Sequence, residues 1–348
     1  MSTQPWPPGT ATAVGSMPGT DPVEAAAVVL GELPDLPHLP ELPARGTGAD
    51  LVGRAAGLLV DLAVELVPSA YRVTARPGVD HRRAADHLRR DLDALDLALD
   101  RAGRPSVVKV QVAGPWTLTS EIELPRGHRV LTDPGALRDL TESLAEGLTR
   151  HVDEVRARTG ADVVVQLDEP SLPAVLAGAL PTPSKLGTVA AVPEPDARET
   201  LAVVVDAARK ATGRPVVVHC CAPRPPVALL RAAGAEAVAL DATLLEGMPA
   251  AFTDQLGEAV DAGCVLFLGL VPSTEPDTPP TLRTLARPAL DLFDLLGFAR
   301  ERLATQAVPT PACGLAGATQ AWARRALGLA RDLGKGFVEP PESWAKTE

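Results

Sequence analysis

Aromatic residues are scarce in this chain. They make up 3% of its 348 residues, with a single tyrosine. That is too few to offer a stacking surface for nucleobases. Clustered positive charge is missing as well: the net charge is −11 and no basic block interrupts the sequence. Nucleic acid is therefore not an expected partner. No apolar run is long enough to cross a bilayer, so no membrane span is expected. Residues 1–9 are proline-rich and uncharged, without the basic and apolar regions of a secretion signal. The expected location is the cytoplasm. Cysteine is limited to four residues, too sparse for a disulfide scaffold. In a reducing compartment such thiols point to metal binding or catalysis.

What is present can build a large core, since 46% of the residues are hydrophobic. Short apolar stretches alternate with amphipathic ones. Strands are expected over 12–17, 38–42, 107–112, 162–167, 215–218, 236–240, 264–268 and 304–308. Helices are expected over 21–33, 51–66, 82–101, 137–155, 197–211, 249–262, 281–303 and 317–333. Asp21 suits an N-cap and Pro22 the first helical position. Leu88, Leu92, Leu95 and Leu99 form one stripe at helical spacing. Strands that are apolar throughout, separated by helices, imply a parallel sheet covered on both faces. Eight such units predict an α/β fold of the (β/α)8 TIM-barrel type, with residues 1–348 as a single domain. A doubly wound open sheet is the alternative, but no Gly-x-Gly-x-x-Gly follows the first strand. Polar and Gly-rich residues cluster after the strands, where such barrels carry their active sites. The long, Pro-rich loop 171–195 after the fourth strand is expected to cover that site.

Three motifs at strand ends carry metal-binding chemistry. In His219-Cys220-Cys221, residues 219 and 221 share one face of a strand and can reach one ion. Cys220 then faces away, and Cys264 opens an apolar strand at the far end. Cys313 lies beyond the last strand in Pro311-Ala312-Cys313-Gly314. Asp241 ends the strand between them. One imidazole, two thiols and a carboxylate make a zinc set. The competing readings are buried cysteines, a small residue in a turn for Cys313, and a helix N-cap for Asp241.

Other strand ends add polar groups. Asp168-Glu169-Pro170 offers carboxylates for an ammonium or hydroxyl partner, or for capping and ion pairing. Gly15-Ser16 permits close backbone approach, so the amides of Ser16 and Met17 could hold a carboxylate. Glu41 and Arg45 lie near the second strand without an assigned role. Trp116 walls a pocket or packs.

Val14-Gly15-Ser16-Met17-Pro18, Gln166-Leu167-Asp168-Glu169-Pro170, His219-Cys220-Cys221 and Ala312-Cys313-Gly314-Leu315 together resemble the C-terminal catalytic barrel of cobalamin-independent methionine synthases. Their order and approximate spacing match over most of the chain. The resemblance implies zinc-dependent methyl transfer to the sulfur of homocysteine, giving methionine. By residue type it assigns His219, Cys221 and Cys313 as zinc ligands. Asp241 stands near the family's glutamate ligand as a shorter carboxylate. Gly15 and Ser16 take the homocysteine carboxylate and Asp168 its amine. Two departures bear on the methyl donor. Full-length members carry an additional N-terminal barrel, which is not expected here. They also carry a histidine before the Pro-Ser turn after strand seven, where this chain reads Phe267-Leu268-Gly269-Leu270-Val271-Pro272-Ser273. The chain thus resembles the short, single-barrel form, associated with a methylated corrinoid donor, often protein-bound. Methyl-folate is the other donor. A zinc methyltransferase for another thiol such as coenzyme M is an alternative, disfavoured by Asp168 because that acceptor has no amine. A barrel that holds zinc and a thiol without turnover is a third reading. A uroporphyrinogen-decarboxylase-like barrel is opposed by the cysteines.

Overall fold

The computed structural model describes residues 4–340 apart from 183 and 185. The first three residues, residues 341–348 and two positions of the 171–195 loop lie outside the described residues. The chain alternates helix and parallel strand. Its helices are α1 (Pro22–Glu32), α2 (Leu51–Ala56), α3 (Val79–Ala102), α4 (Pro115–Glu121), α5 (Pro134–Thr159), α6 (Leu172–Leu176), α7 (Glu194–Thr212), α8 (Val227–Ala232), α9 (Ala250–Asp261), α10 (Leu282–Leu295), α11 (Leu303–Gln306) and α12 (Gln320–Val338). Local chemistry sets several starts. Asp21 accepts from the Val23 and Glu24 amides ahead of Pro22 at N1 of α1, and Asp133 caps α5 through Ala136 N. Each uses a carboxylate to satisfy amides that the helix itself leaves unpaired.

β1 (Ala63–Leu66) and β2 (Tyr71–Thr74) form an antiparallel pair beside the main sheet. β3 (Val107–Ala113) begins the main sheet, and β4 (Ile122–Glu123) adds in parallel to β2. β5 (Asp162–Asp168), β6 (Val217–His219), β7 (Ala237–Asp241), β8 (Val265–Val271) and β9 (Ala307–Pro311) follow β3 in order, all parallel. Two extended segments close this curled six-stranded sheet into a ring. Residues 37–41 run along β3, with Leu39 N donating to Lys109 O (2.9 Å) and Lys109 N to Pro37 O (2.8 Å). Residues 12–17 lie between that segment and β9: Ser16 bridges Glu41 in parallel, and Thr12 N donates to Pro309 O at 3.2 Å. Pro37 and Pro40 have no N–H to give, so the 37–41 segment makes bridges rather than a continuous ladder. The result is the eight-stave α/β barrel expected from the sequence.

Packing divides by strand face. Outward residues such as Val108, Val163, Val165, Leu167, Val218, Leu240 and Leu266 join the helices in the main core. Inward residues form a second cluster at the barrel floor: Val107, Val164, Val217, Ala237, Val265 and Phe267, plugged by Trp6. Trp6 meets Phe267 edge to face at 5.6 Å, an arrangement that adds to area burial.

Three boundaries differ from expectation. The helix expected over 51–66 ends at Ala56, and residues 63–66 are strand β1. Gly57 packs close on Ala84, and Asp61 sits at φ 58°, a left-handed value that a helix cannot continue through. The helix expected over 281–303 stops at Leu295, just before Gly297 at φ 74°. The last strand begins at Ala307 rather than 304, because residues 303–306 complete a helical turn in which Gln306 donates to Val260 O at 2.7 Å. No helix among the described residues is long and apolar enough to cross a membrane.

Candidate metal and substrate site

The strand register that builds the barrel also gathers the sequence motifs. Asp168, at the end of β5, pairs in register with His219 at the end of β6. Both are 4% exposed. His219 Nδ1 bonds Asp168 Oδ1 at 2.8 Å. A carboxylate only accepts, so Nδ1 is the donor in this bond, and in the neutral ring Nε2 is then the nitrogen with the lone pair. Nε2 is buried and has no hydrogen-bond partner.

Two residues beyond His219, Cys221 Sγ lies 3.5 Å from Cys313 Sγ, although 92 residues separate them in sequence. Two sulfurs held tetrahedrally at about 2.3 Å from one ion would stand roughly 3.8 Å apart, so the pair fits such a site. The proximity also splits the two thiols chemically. The Cys313 thiol is lowered from its ordinary range, first by its hydrogen bond with Cys221, while Cys221 is raised. One thiolate in this pair therefore forms more readily than in an isolated cysteine. Cys220 and Cys264 are buried away from it, their thiols pushed up to about 12 and about 11 by burial. All four cysteines are free.

The N-terminal motif reaches the same place. Leu315 N donates to Ser16 O at 2.8 Å. A Cβ on Gly314 would collide with Ser16 Oγ, so glycine next to Cys313 lets the serine approach. Gly15 is similarly required by crowding, since a Cβ there would sit 2.7 Å from the Gln111 side chain. The Met17 amide, expected to help hold a carboxylate, is taken by Glu41 O at 2.8 Å. That leaves Ser16 N and Oγ for the task.

Asp241 is placed differently. It lies at the end of β7, on the face that continues Ala237 and Ala239, but its Oδ1 accepts from Thr243 N (2.9 Å) and Thr243 Oγ1 (2.6 Å). Its carboxylate caps the short turn that follows. Among the described residues no group of three or more His, Cys, Asp or Glu side chains converges closely enough to hold a metal ion. What the structure brings together is the thiol pair, with Ser16 against Gly314 beside it and the unpartnered Nε2 of His219 two residues before Cys221. This donor set of nitrogen and sulfur is the chemistry that zinc takes.

Further buried residues supply the site's support. Glu169 is fully buried and accepts from Trp116 N (2.9 Å), Thr117 N (2.7 Å) and Thr117 Oγ1 (2.8 Å). It is a cap for α4 and not a partner for substrate; burial raises it to about 7 against those bonds. Glu41 is buried and raised to about 7, first by burial, with Arg54 opposing and Asp168 adding. It sits beside Gly15 through Glu41 N to Gly15 O at 3.1 Å. Arg45 turns away and pairs with Asp91 at 2.7 Å. Lys109, from the middle of β3, is completely buried within the barrel. A single lysine in an apolar strand carries no motif, and only the closed ring reveals its partners. Trp116 is packed, its indole donating to Ala197 O at 2.9 Å. It also backs an apolar groove of about 680 Å³ between the first turns of α5 and α7, which holds none of the candidate residues. The loop after β5 carries α6 and a bridge between Pro181 and Thr188 on that side of the barrel.

With this geometry in view, comparison with protein families places the chain in one. The family model described as "Cobalamin-independent synthase, Catalytic domain" matches residues 9–335. No curated protein matches the sequence. Among solved structures, a B12-independent methionine synthase from Shewanella sp. W3-18-1 in complex with selenomethionine is 12% identical. It superposes with a TM-score of 0.60, covering 94% of this chain and 97% of that one. A methyltransferase from Methanosarcina mazei is 16% identical with a TM-score of 0.56, covering 93% of each chain. At these identities the likeness is one of fold.

Proposed function

The chain belongs to the family of cobalamin-independent synthase catalytic domains, and from that premise we propose that it is a zinc-dependent methyltransferase that converts homocysteine to methionine. The observation that carries the reading is the meeting of Cys221 and Cys313 at 3.5 Å beside a buried, unpartnered His219 Nε2. His219, Cys221 and Cys313 would hold the ion. Asp241, whose Oδ2 has no hydrogen bond to another described residue, would complete the set. Bound there, zinc supplies the positive charge that keeps a substrate thiol as thiolate at neutral pH.

The protein's own residues then position the substrate. Ser16 N and Oγ bind the homocysteine carboxylate next to Gly15. Asp168 Oδ2, which has no hydrogen bond among the described residues, and buried Glu41 face the amine; the two carboxylates act on each other electrostatically, which suits a cation between them. The thiolate sulfur attacks the methyl carbon, the new S–C bond forms, and the donor leaves with the electron pair of the broken bond. Holding sulfur and methyl in line and excluding water are the catalytic contributions of the barrel. A methylated corrinoid is the preferred donor, because residues 267–273 offer no histidine after strand seven. One catalytic barrel is proposed to span the chain, and free cysteines suit a cytoplasmic location.

The test combines metal analysis with turnover. Purified protein is expected to retain about one zinc and to form methionine from homocysteine and methylcobalamin. Methionine formed only with methyl-folate would overturn the donor assignment. Turnover with coenzyme M but not homocysteine would overturn the acceptor, and zinc retention without methyl transfer to any thiol would favour a non-catalytic binding barrel.

A further inference from the structure

We propose that Lys109 and Gln166 are positioning residues that fix the orientation of His219 through Asp168, so that a charge buried deep in the barrel sets the direction of the imidazole lone pair at its mouth. The inference rests on the zinc reading above and extends it to residues that touch neither metal nor substrate.

The hydrogen bonds run outward from the lysine. Lys109 Nζ meets three acceptors: Val14 O (2.9 Å), Gln166 Oε1 (2.9 Å) and Gln111 Oε1 (3.3 Å). An ammonium has three protons and no lone pair, so all of its capacity is used and every neighbour must present an oxygen. That requirement decides which way the Gln166 amide is turned. Its oxygen faces Lys109, and its NH2 group must face the other way. Nε2 accordingly donates to Val14 O (2.9 Å) and to Asp168 Oδ1 (2.7 Å). Asp168 Oδ1 receives that proton on one side and the His219 Nδ1 proton on the other, at 2.8 Å. Each link has one allowed polarity, and the series ends on His219 with Nε2 as the free base.

Three features argue for a positioning role over simple space filling. The side chains of the series are buried, with Lys109 wholly inaccessible and Gln166 1% exposed. An apolar layer of the same volume would stabilise the barrel at least as well, because ions lose hydration on burial. The residues one step below, Val107 and Val164, are apolar, so the strands do not require polarity there. Burial lowers Lys109 to about 8 while Asp168 and Glu41 oppose the shift, leaving it an ammonium at neutral pH. In metal sites generally, outer partners that orient a ligating imidazole are worth roughly 10–100-fold in affinity.

Gln166→Leu and Lys109→Met test the idea. The first removes the relay while keeping the buried charge; the second removes the charge that orients the amide. Two quantities are read at neutral pH: zinc affinity by chelator competition, and the ring-nitrogen NMR shifts of His219 in the metal-free protein, assigned by their loss in His219→Gln. What Gln166 supplies is the placement of Asp168 Oδ1: without that anchor the carboxylate turns from Nδ1, so Gln166→Leu is expected to weaken zinc roughly 10–100-fold and to turn a single Nδ1-protonated imidazole into a mixture of tautomers, with Lys109→Met showing the same pattern. An unchanged tautomer in Gln166→Leu overturns the proposal, whether or not zinc weakens, since loss of metal alone would report general loosening. If Lys109→Met does not fold, Gln166→Leu still decides. A wild-type protein that binds no zinc sinks the metal reading, while the tautomer measurement separately judges the relay.

Discussion

Along β3 and β5 the inward positions change from Val107 and Val164 at the floor to Lys109, Gln111, Gln166 and Asp168 toward the mouth. The same strands, in the same register, serve both ends. At the floor, Trp6 and Phe267 fill space and any apolar group of similar shape will do. At the mouth the polar atoms of Lys109 and Gln166 have designated partners, whereas His219 Nε2 has none among the described residues. The floor thus contributes stability through volume, and the mouth contributes chemistry through direction. Changes at one end are expected to leave the other's signature intact.

The largest effect on that contrast is expected from Cys313→Ser. It should lose zinc retention after dialysis, by more than the roughly hundredfold that an outer partner is worth, with little change in thermal midpoint of the metal-free protein. Full zinc content in this variant would remove Cys313 from the ligand set. Asp168→Asn comes next. It keeps the shape, but the amide can present either an oxygen or an NH2 group to His219, so zinc affinity should drop roughly 10–100-fold and KM for homocysteine should rise. A rise in KM at unaltered zinc affinity would confine Asp168 to the substrate. Asp241→Asn provides a sharper comparison within the mouth: zinc affinity should fall if the carboxylate turns from Thr243 to the metal, and no change would leave it as a cap.

At the floor the pattern should invert. Phe267→Ala is expected to cost about 3–5 kcal/mol in denaturant unfolding while the zinc affinity of the folded protein is retained. Weakened metal binding at intact fold would show that the two ends are not independent. The smallest effect concerns neither end. His151, on α5, is buried and lowered to about 4, first by burial and then by Arg54, with Asp91 opposing. A histidine near its ordinary 6.5 takes a proton more readily in the unfolded chain, so folding is fully favoured above that pH and weakens as pH falls toward 4. His151→Gln should flatten this acid limb by on the order of 3 kcal/mol, measured by urea unfolding between pH 7 and 4. An unchanged limb would assign the acid sensitivity to other groups.

Much of this was legible beforehand. Apolar strands between amphipathic helices announced the barrel, since eight alternations of that kind have few compact solutions. The motifs at residues 15–16, 168–169, 219–221 and 313 were visible as polar residues following apolar strands. Less legible were the places where a local pattern permits two structures. Residues 51–66 keep helical spacing, but the left-handed turn at Asp61 ends the helix. Asp241 and Glu169 are both carboxylates after a strand, for which the sequence allows capping and a functional role alike; the bonds to Thr243 and to Trp116 and Thr117 show the caps. Lys109 escaped notice because a lone charge within an apolar strand has no sequence signature.

By itself the sequence determined the alternation of elements, the barrel class and the residue types available at each strand end, because burial periodicity is a local property of the chain. Only the tertiary structure decided that Cys221 and Cys313 come within 3.5 Å, that Asp168 serves His219, and that Lys109 orients Gln166. Those pairings depend on ring closure and strand register, which bring together residues between 51 and 92 positions apart, and hydrogen-bond polarity can be assigned only once donor and acceptor are neighbours.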